Sequence, residues 1–336
     1  AVAAAMVAPL AAVAETTLYG RIDVSLNNDS VDAITVDGLG NETKTKAADG
    51  WDMRNETTRI GVKGSEDLGN GLKAIFQAEW AFEGVEGNGS YAAEPNQSVF
   101  RNRLAYAGLS GNWGTAAMGR QWTPYYGAVD KTDVYNRGDF NPQYLGTTRG
   151  GNLISYVTPN WNGFSAAAGL QIDGANNLGT DNSDGIDHYN LAANYNNGPF
   201  SVGVGYFKVD GTGGDADYKM AGVAGSYTFQ EMFKITGQYE SGSLPIGVGD
   251  DYDASEWTIL GEAFWGNNIF RASYADYGKD IDDLDNFWAL GWQYNFSNRT
   301  RVYAEYFNGT ALDRDGIFRD ANGIGYTADD GNSWGL

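Results

Sequence analysis

LYGRIDVSL, residues 18–26, sets Leu18, Ile22, Val24 and Leu26 on one parity and Tyr19, Arg21, Asp23 and Ser25 on the other. Side chains alternate faces along a strand, so the stretch carries one apolar face and one charged face. A soluble sheet would bury the apolar face and leave the charged one in bulk water. A membrane barrel would turn the apolar face to lipid and the charged face to an internal channel. The rest of the chain decides between them.

The alternation returns throughout. LKAIFQAEWAF (72–82) sets Leu72, Ala74, Phe76, Ala78, Trp80 and Phe82 against Lys73, Gln77 and Glu79. FWALGWQYNF (287–296) sets Trp288, Leu290, Trp292, Tyr294 and Phe296 against Ala289, Gly291, Gln293 and Asn295. The connections alternate in length. Short ones such as 110–114, 159–163 and 266–268 read as turns, while 28–50, 83–97, 122–148, 173–186, 242–254 and 309–330 read as long Gly-, Asp- and Asn-rich loops. Fifteen strand-like segments and a final stub, SWGL (333–336), are legible. Divided into sixteen strands, residues 17–336 allow about 20 residues for each strand with its connection. That rhythm predicts an all-β fold: a transmembrane antiparallel barrel of sixteen strands, the last truncated, with short periplasmic turns and long extracellular loops. No shift in composition divides it, so residues 15–336 are expected to form one domain.

Composition agrees. Among 336 residues there are 47 Gly, 21 Tyr, 15 Phe and 10 Trp, which suits strands and tight turns. The formal charge of −21 argues against nucleic acid as a partner, and the absence of Cys excludes disulfides and thiolate metal sites. Residues 1–14, AVAAAMVAPLAAVA, carry no charge and end small-x-small, which predicts the remnant of an export signal cleaved before Glu15. After Ala14 no apolar run approaches the ~20 residues of a membrane helix, so any span must be built of strands. Aromatics near strand ends, as in Trp80/Phe82 and Trp288/Phe296, fit interfacial girdles better than a sandwich core. An exported β-rich adhesin or lectin is the alternative, and solubility without detergent would distinguish it.

Four blocks carry a resemblance: TLYGRIDVSL (17–26), TRIGVKGSEDLGNGLKAIFQAEW (58–80), RNRLAYAGLSGNWGTAAMGRQ (101–121) and YVTPNWNGF (156–164). They resemble the trimeric sixteen-stranded general diffusion porins of Gram-negative bacteria. The resemblance implies a passive outer-membrane channel for ions and small hydrophilic solutes, a homotrimer in contact with lipid and lipopolysaccharide. It implies no catalytic residue and no cofactor. It also implies a basic wall at the narrowest point, formed by Arg21, Arg59, Arg103 and Arg149, with Arg54, Arg101 and Arg120 nearby. On the other reading each guanidinium only pairs with a lumen acid such as Asp23 or Glu79. The third loop, 122–148, is expected to fold into the lumen and set Asp130, Asp133 and Asp139 across from the arginines, Asp133 fitting that loop best. Two departures stand out. The Pro-Glu-Phe-Gly-Gly segment of some members is replaced by TDVYNRGDFNP (132–142), and the chain stops at GNSWGL, so the natural gene is expected to continue to an aromatic end.

The wall and loop charges offset each other locally, so the total of −21 predicts a weak cation preference from acids at the mouths. The GDDYDAS segment (249–255) has oxygen-bearing residues at calcium-like spacing but not the full EF-hand pattern, and it reads as a solvated loop rather than a metal site. His188, the lone histidine, lies near Ser183 and Asp184, but no triad geometry can be read there.

Overall fold

The computed structural model describes residues 15–36, 42–82, 100–137, 144–172, 186, 188–210, 217–245, 251–279, 286–309 and 326–335. Their strands are β1 (Glu15–Arg21), β2 (Val24–Val36), β3 (Glu42–Asn55), β4 (Arg59–Gly69), β5 (Leu72–Phe82), β6 (Phe100–Gly111), β7 (Gly114–Trp122), β8 (Arg149–Val157) and β9 (Phe164–Gln171). They continue with β10 (His188–Asn197), β11 (Phe200–Val209), β12 (Tyr218–Phe229), β13 (Phe233–Pro245), β14 (Asp251–Trp265), β15 (Asn268–Lys279), β16 (Phe287–Ser297), β17 (Thr300–Gly309) and β18 (Tyr326–Gly335). One short helix, α1 (Pro124–Val129), lies between β7 and β8.

All strands join one antiparallel sheet. The first hairpin is broken in the middle: β2 pairs with β3 from Val24↔Asn55, and β1 pairs with β4 from Arg21↔Arg59. Side-chain and backbone hydrogen bonds hold the two sides of the break together. The Asp23 N–H donates to Thr58 Oγ1 at 2.9 Å, the Thr57 hydroxyl to Asp23 Oδ2 at 2.6 Å, and the Glu56 N–H to the Asp23 carbonyl at 3.0 Å. With that hairpin taken as two strands, the eighteen segments make sixteen crossings. From β4 onward each strand pairs with the next, and β18 pairs with both β17 and β2, so the ladder returns to the first hairpin. Among the described residues the strand paired with β1 is β4.

Some boundaries differ from those the sequence predicts. Residues 28–36 and 42–50 extend the first hairpin rather than forming a loop, and the last strand is ten residues long instead of a stub. Polar residues occupy both parities of 28–32 and 42–49, so alternation does not mark these strand ends in the sequence.

The burial pattern is inverted relative to a soluble sheet. Leu18 and Ile22 are 74% and 80% exposed, whereas Asn27, Asn190 and Glu240 are fully buried. Leu290 and Trp292 face outward while Gln293 is buried. A sandwich would bury its apolar parity, so the outward apolar surface belongs to a barrel facing lipid.

Candidate functional site

The loop following β7 enters the barrel. Thr123 caps α1, its hydroxyl accepting the Tyr126 N–H at 3.1 Å, and Pro124 opens the helix where no backbone donor is needed. Tyr125, Ala128 and Val129 are fully buried and pack with Phe207 and Met220 of the wall, Tyr125 meeting Phe207 edge-on at 4.9 Å. Glycines make room for this helix. A Cβ on Gly203 would lie 2.1 Å from the Ala128 carbonyl oxygen, and one on Gly222 would lie 2.4 Å from the Tyr125 hydroxyl.

Polar posts fix the loop along the same wall. Glu240 on β13 accepts the Tyr125 hydroxyl at 2.8 Å and the Leu145 N–H at 2.7 Å, so one carboxylate ties both ends of the loop. The Thr132 hydroxyl donates to Gln238 at 3.1 Å. Tyr135 pairs with Ser273 at 2.9 Å and packs edge-on against Phe307 at 5.3 Å. Glu305 on β17 accepts backbone N–H groups from Asn136 at 2.8 Å and Arg137 at 3.2 Å, and Arg137 reaches Asp29 on β2 at 3.6 Å. Residues 123–137 and 144–148 of the segment therefore follow the inner face of the later strands, in keeping with the expected entry of this loop into the lumen.

The four expected wall arginines lie on the early strands and form one electrostatic group. Arg21 pairs with Asp23 at 3.2 Å and feels the charges of Arg59, Arg103 and Arg301. Arg59 and Arg103 share Glu79, at 3.6 and 2.6 Å, and the Tyr19 hydroxyl donates to the same carboxylate at 3.0 Å. Arg149 lies over the Trp122 ring at 4.6 Å and feels Arg103 and Arg120. Among the described residues no carboxylate stands within ion-pair distance of Arg120 or Arg149. Pairing with Asp23 and Glu79 thus coexists with clustering instead of replacing it. Arg54, by contrast, pairs with Asp29 and Asp52.

On the loop, Asp133 is exposed and accepts the Tyr126 hydroxyl at 3.0 Å, while half-buried Asp130 accepts the Asp133 N–H at 3.2 Å. Burial, reinforced by Asp133 and Asp130, pushes the Tyr126 hydroxyl well above its ordinary range, so it remains a donor. Asp139 lies outside the described residues. Trp122, stacked on Tyr126 at 4.5 Å and 14°, links Arg149 to that tyrosine and so to Asp133. Sequence reading passed over this stack, and over Glu240 and Glu305. Alternation gave their parity, but only the folded barrel brings residues more than a hundred positions apart into contact.

His188 is buried between Gln171 and Asn190, 3.2 and 3.3 Å from them, with its ring edge-on to Phe207. Ser183 and Asp184 lie outside the described residues. Of the calcium-like segment, residues 251–255 belong to β14, and Asp253 accepts the Ser243 hydroxyl at 3.3 Å.

Comparison with known proteins agrees with this architecture. The family model described as Gram-negative porin matches residues 1–311. Outer membrane porin protein 32 of Delftia acidovorans is 30% identical over 306 residues, covering 85% of this chain and 81% of the relative. The solved structure of an anion-selective porin from Comamonas acidovorans superposes with a TM-score of 0.63 at 24% identity, covering 96% of this chain and 100% of that one. The outer membrane protein OmpT of Vibrio cholerae, solved in its trimer form, gives 0.56 at 17% identity, covering 94% and 99%.

Proposed function

The chain belongs to the Gram-negative porins, outer-membrane diffusion channels rather than enzymes, and on that premise we propose how this pore selects. The loop 122–148 narrows a lumen that sixteen strands would otherwise leave as an open aqueous channel. Across the narrowing, Arg21, Arg59, Arg103 and Arg149, joined by Arg120, oppose Asp130 and Asp133. Charge rings of this kind orient dipolar solutes and disfavour apolar ones, which gain nothing from the field.

One observation carries the reading: the loop is bound to the later strands, so its Asp133 edge is left free to face the arginine cluster. Among the described residues, the carboxylates in contact with the wall guanidiniums are Asp23 and Glu79, which leaves the cluster with excess positive charge. The chain as a whole carries −21. At low salt the mouths concentrate cations and the preference is weakly for cations. Near ~1 M the Debye length falls to ~3 Å, only the narrow zone still acts, and the preference turns towards anions. Reversal potentials across a planar bilayer, measured under a salt gradient at low and high mean salt, test this. An unchanged cation preference at high salt would mean that the arginines do not govern the narrow zone.

We further propose that the chain works as a homotrimer surrounded by lipid and lipopolysaccharide, and that residues 1–14 are removed on export to leave 15–336 as the barrel. The trimer form of the Vibrio cholerae protein supports the first statement. Crosslinking of the detergent-extracted protein and sequencing of its mature N-terminus would test them.

A further inference from the structure

Behind the loop, two glutamates face each other. Glu240 on β13 and Glu256 on β14 are directly opposed in register, so their Cβ atoms are neighbours on the same face. Both are buried, at 0% and 1% exposure. Their surroundings are apolar: Tyr125, Val129, Tyr144, Leu145, Leu244, Ala254 and Tyr277 form one buried cluster over these strands. Two adjacent carboxylates in such a place cannot both be charged without a large cost, because like charges repel strongly where water is excluded.

The hydrogen bonds distinguish the two. Both oxygens of Glu240 are occupied: Oε1 by the Tyr125 hydroxyl at 2.8 Å, and Oε2 by the Leu145 N–H at 2.7 Å and the Gln238 amide at 3.2 Å. That is the donor set of an ionised carboxylate. Glu256 accepts the Thr258 hydroxyl on Oε1 and shares the Gln238 side chain with Glu240, while its Oε2 is buried with no hydrogen-bond partner. The ionisable groups that act on Glu256 are Glu240 from β13, Asp130 from the loop and Tyr277 from the facing position on β15. Among the described residues, none of these groups is a cation.

We propose that Glu256 is held as a neutral carboxylic acid, which lets Glu240 alone carry the charge that pins both ends of the constriction loop. Glu256 is thus a positioning residue for the channel, acting through Glu240. It rests on the reading of 122–148 as the constriction loop, but the protonation itself can be read without any measurement of conduction. The sign follows from the geometry. The latch holds while Glu256 keeps its proton and weakens as rising pH removes it, because Glu240 then faces a second negative charge.

Infrared spectra of the purified protein in detergent, compared with those of Glu256→Gln, test the assignment. At neutral pH the wild type should show the carbonyl stretch of a buried protonated carboxyl group, and the variant should lose that band. A band of equal intensity in both proteins, or no such band in either, would overturn the proposal. Should Glu256→Gln fail to assemble, the wild type decides by itself. Loss of the band at alkaline pH, together with a rise in single-channel conductance and noise, supports the latch. Loss of the band with conductance unchanged overturns it. Protonation at Glu256 with a pore unaffected by deletion within 122–148 would instead count against the constriction reading alone.

Discussion

Gly203→Ala adds one methyl group where the barrel wall meets α1. The new Cβ would lie 2.1 Å from the Ala128 carbonyl oxygen and 2.7 Å from Asn194 Oδ1. The amide can rotate away, but the carbonyl belongs to a helix fixed by Thr123, Tyr125 and Glu240. To restore ordinary contact the helix backbone must withdraw by about 1 Å, at a cost of about 1–3 kcal/mol for overpacking. Strand pairing should survive, because Gly203 keeps its register with Asn194 and Ala224. The strain therefore falls on the loop. Its one direction of retreat is away from the wall, towards the arginines, so single-channel conductance should fall and open-channel noise should rise. Gly225→Ala on β12 is the control, since its Cβ would find its nearest neighbour at 3.5 Å. If the two variants conduct alike in planar bilayers, α1 is not seated against Gly203 and the account of the narrowing is wrong.

Other outcomes can be stated more briefly. Replacing Arg59 and Arg103 with Gln leaves Glu79 without its ion-pair partners, so reversal potentials should move towards cations and conductance should rise, whereas Asp133→Asn should move them towards anions. Leu290→Arg should impair refolding into lipid vesicles by ~2–4 kcal/mol if it lies at the bilayer midplane. Gln293→Arg should insert normally yet alter conductance, because Gln293 contacts both Asn136 and Arg271 inside the barrel. Trp122→Leu removes the ring beneath Arg149, an interaction of ~0.5–2 kcal/mol, and should shift high-salt selectivity without changing any formal charge, with Trp122→Phe restoring part of the effect.

The wall was legible from the sequence because lipid imposes a strict two-residue period on it. Leu290 and Trp292 could be placed outside and Gln293 inside from parity alone. Arg21 and Arg59 share the inward parity of their strands. Arg103, by contrast, shares the parity of exposed Leu109 beside a register shift at Glu79/Trp80, and Arg149 lies beyond another at Gly119/Gln121. The expected place of these two came from the resemblance and not from alternation. The extended ends of β2 and β3 were not legible, because polar residues on both faces erase the period. Nor could the anchoring of the loop be read. Asn136 and Arg137 occupy a stretch with no periodicity, and their partner Glu305 is one of many inward polar residues until the strands close around it.

The anchoring of the loop also bears on the order of assembly. Tyr125 and Glu240 are 115 residues apart, and Asn136 and Glu305 are 169 apart. Contacts of such separation cannot form until the strands that carry the acceptors are in place, and the entropy of closing long segments delays them further. A ring of strands with its loop still loose must precede the narrowed channel on the folding path. That precursor would be wider than the finished pore, and less discriminating. On the proposed reading of 122–148 as the constriction, the permeability barrier is among the last features to fold, and a mutation that slows docking without unfolding the wall would leave a membrane that leaks.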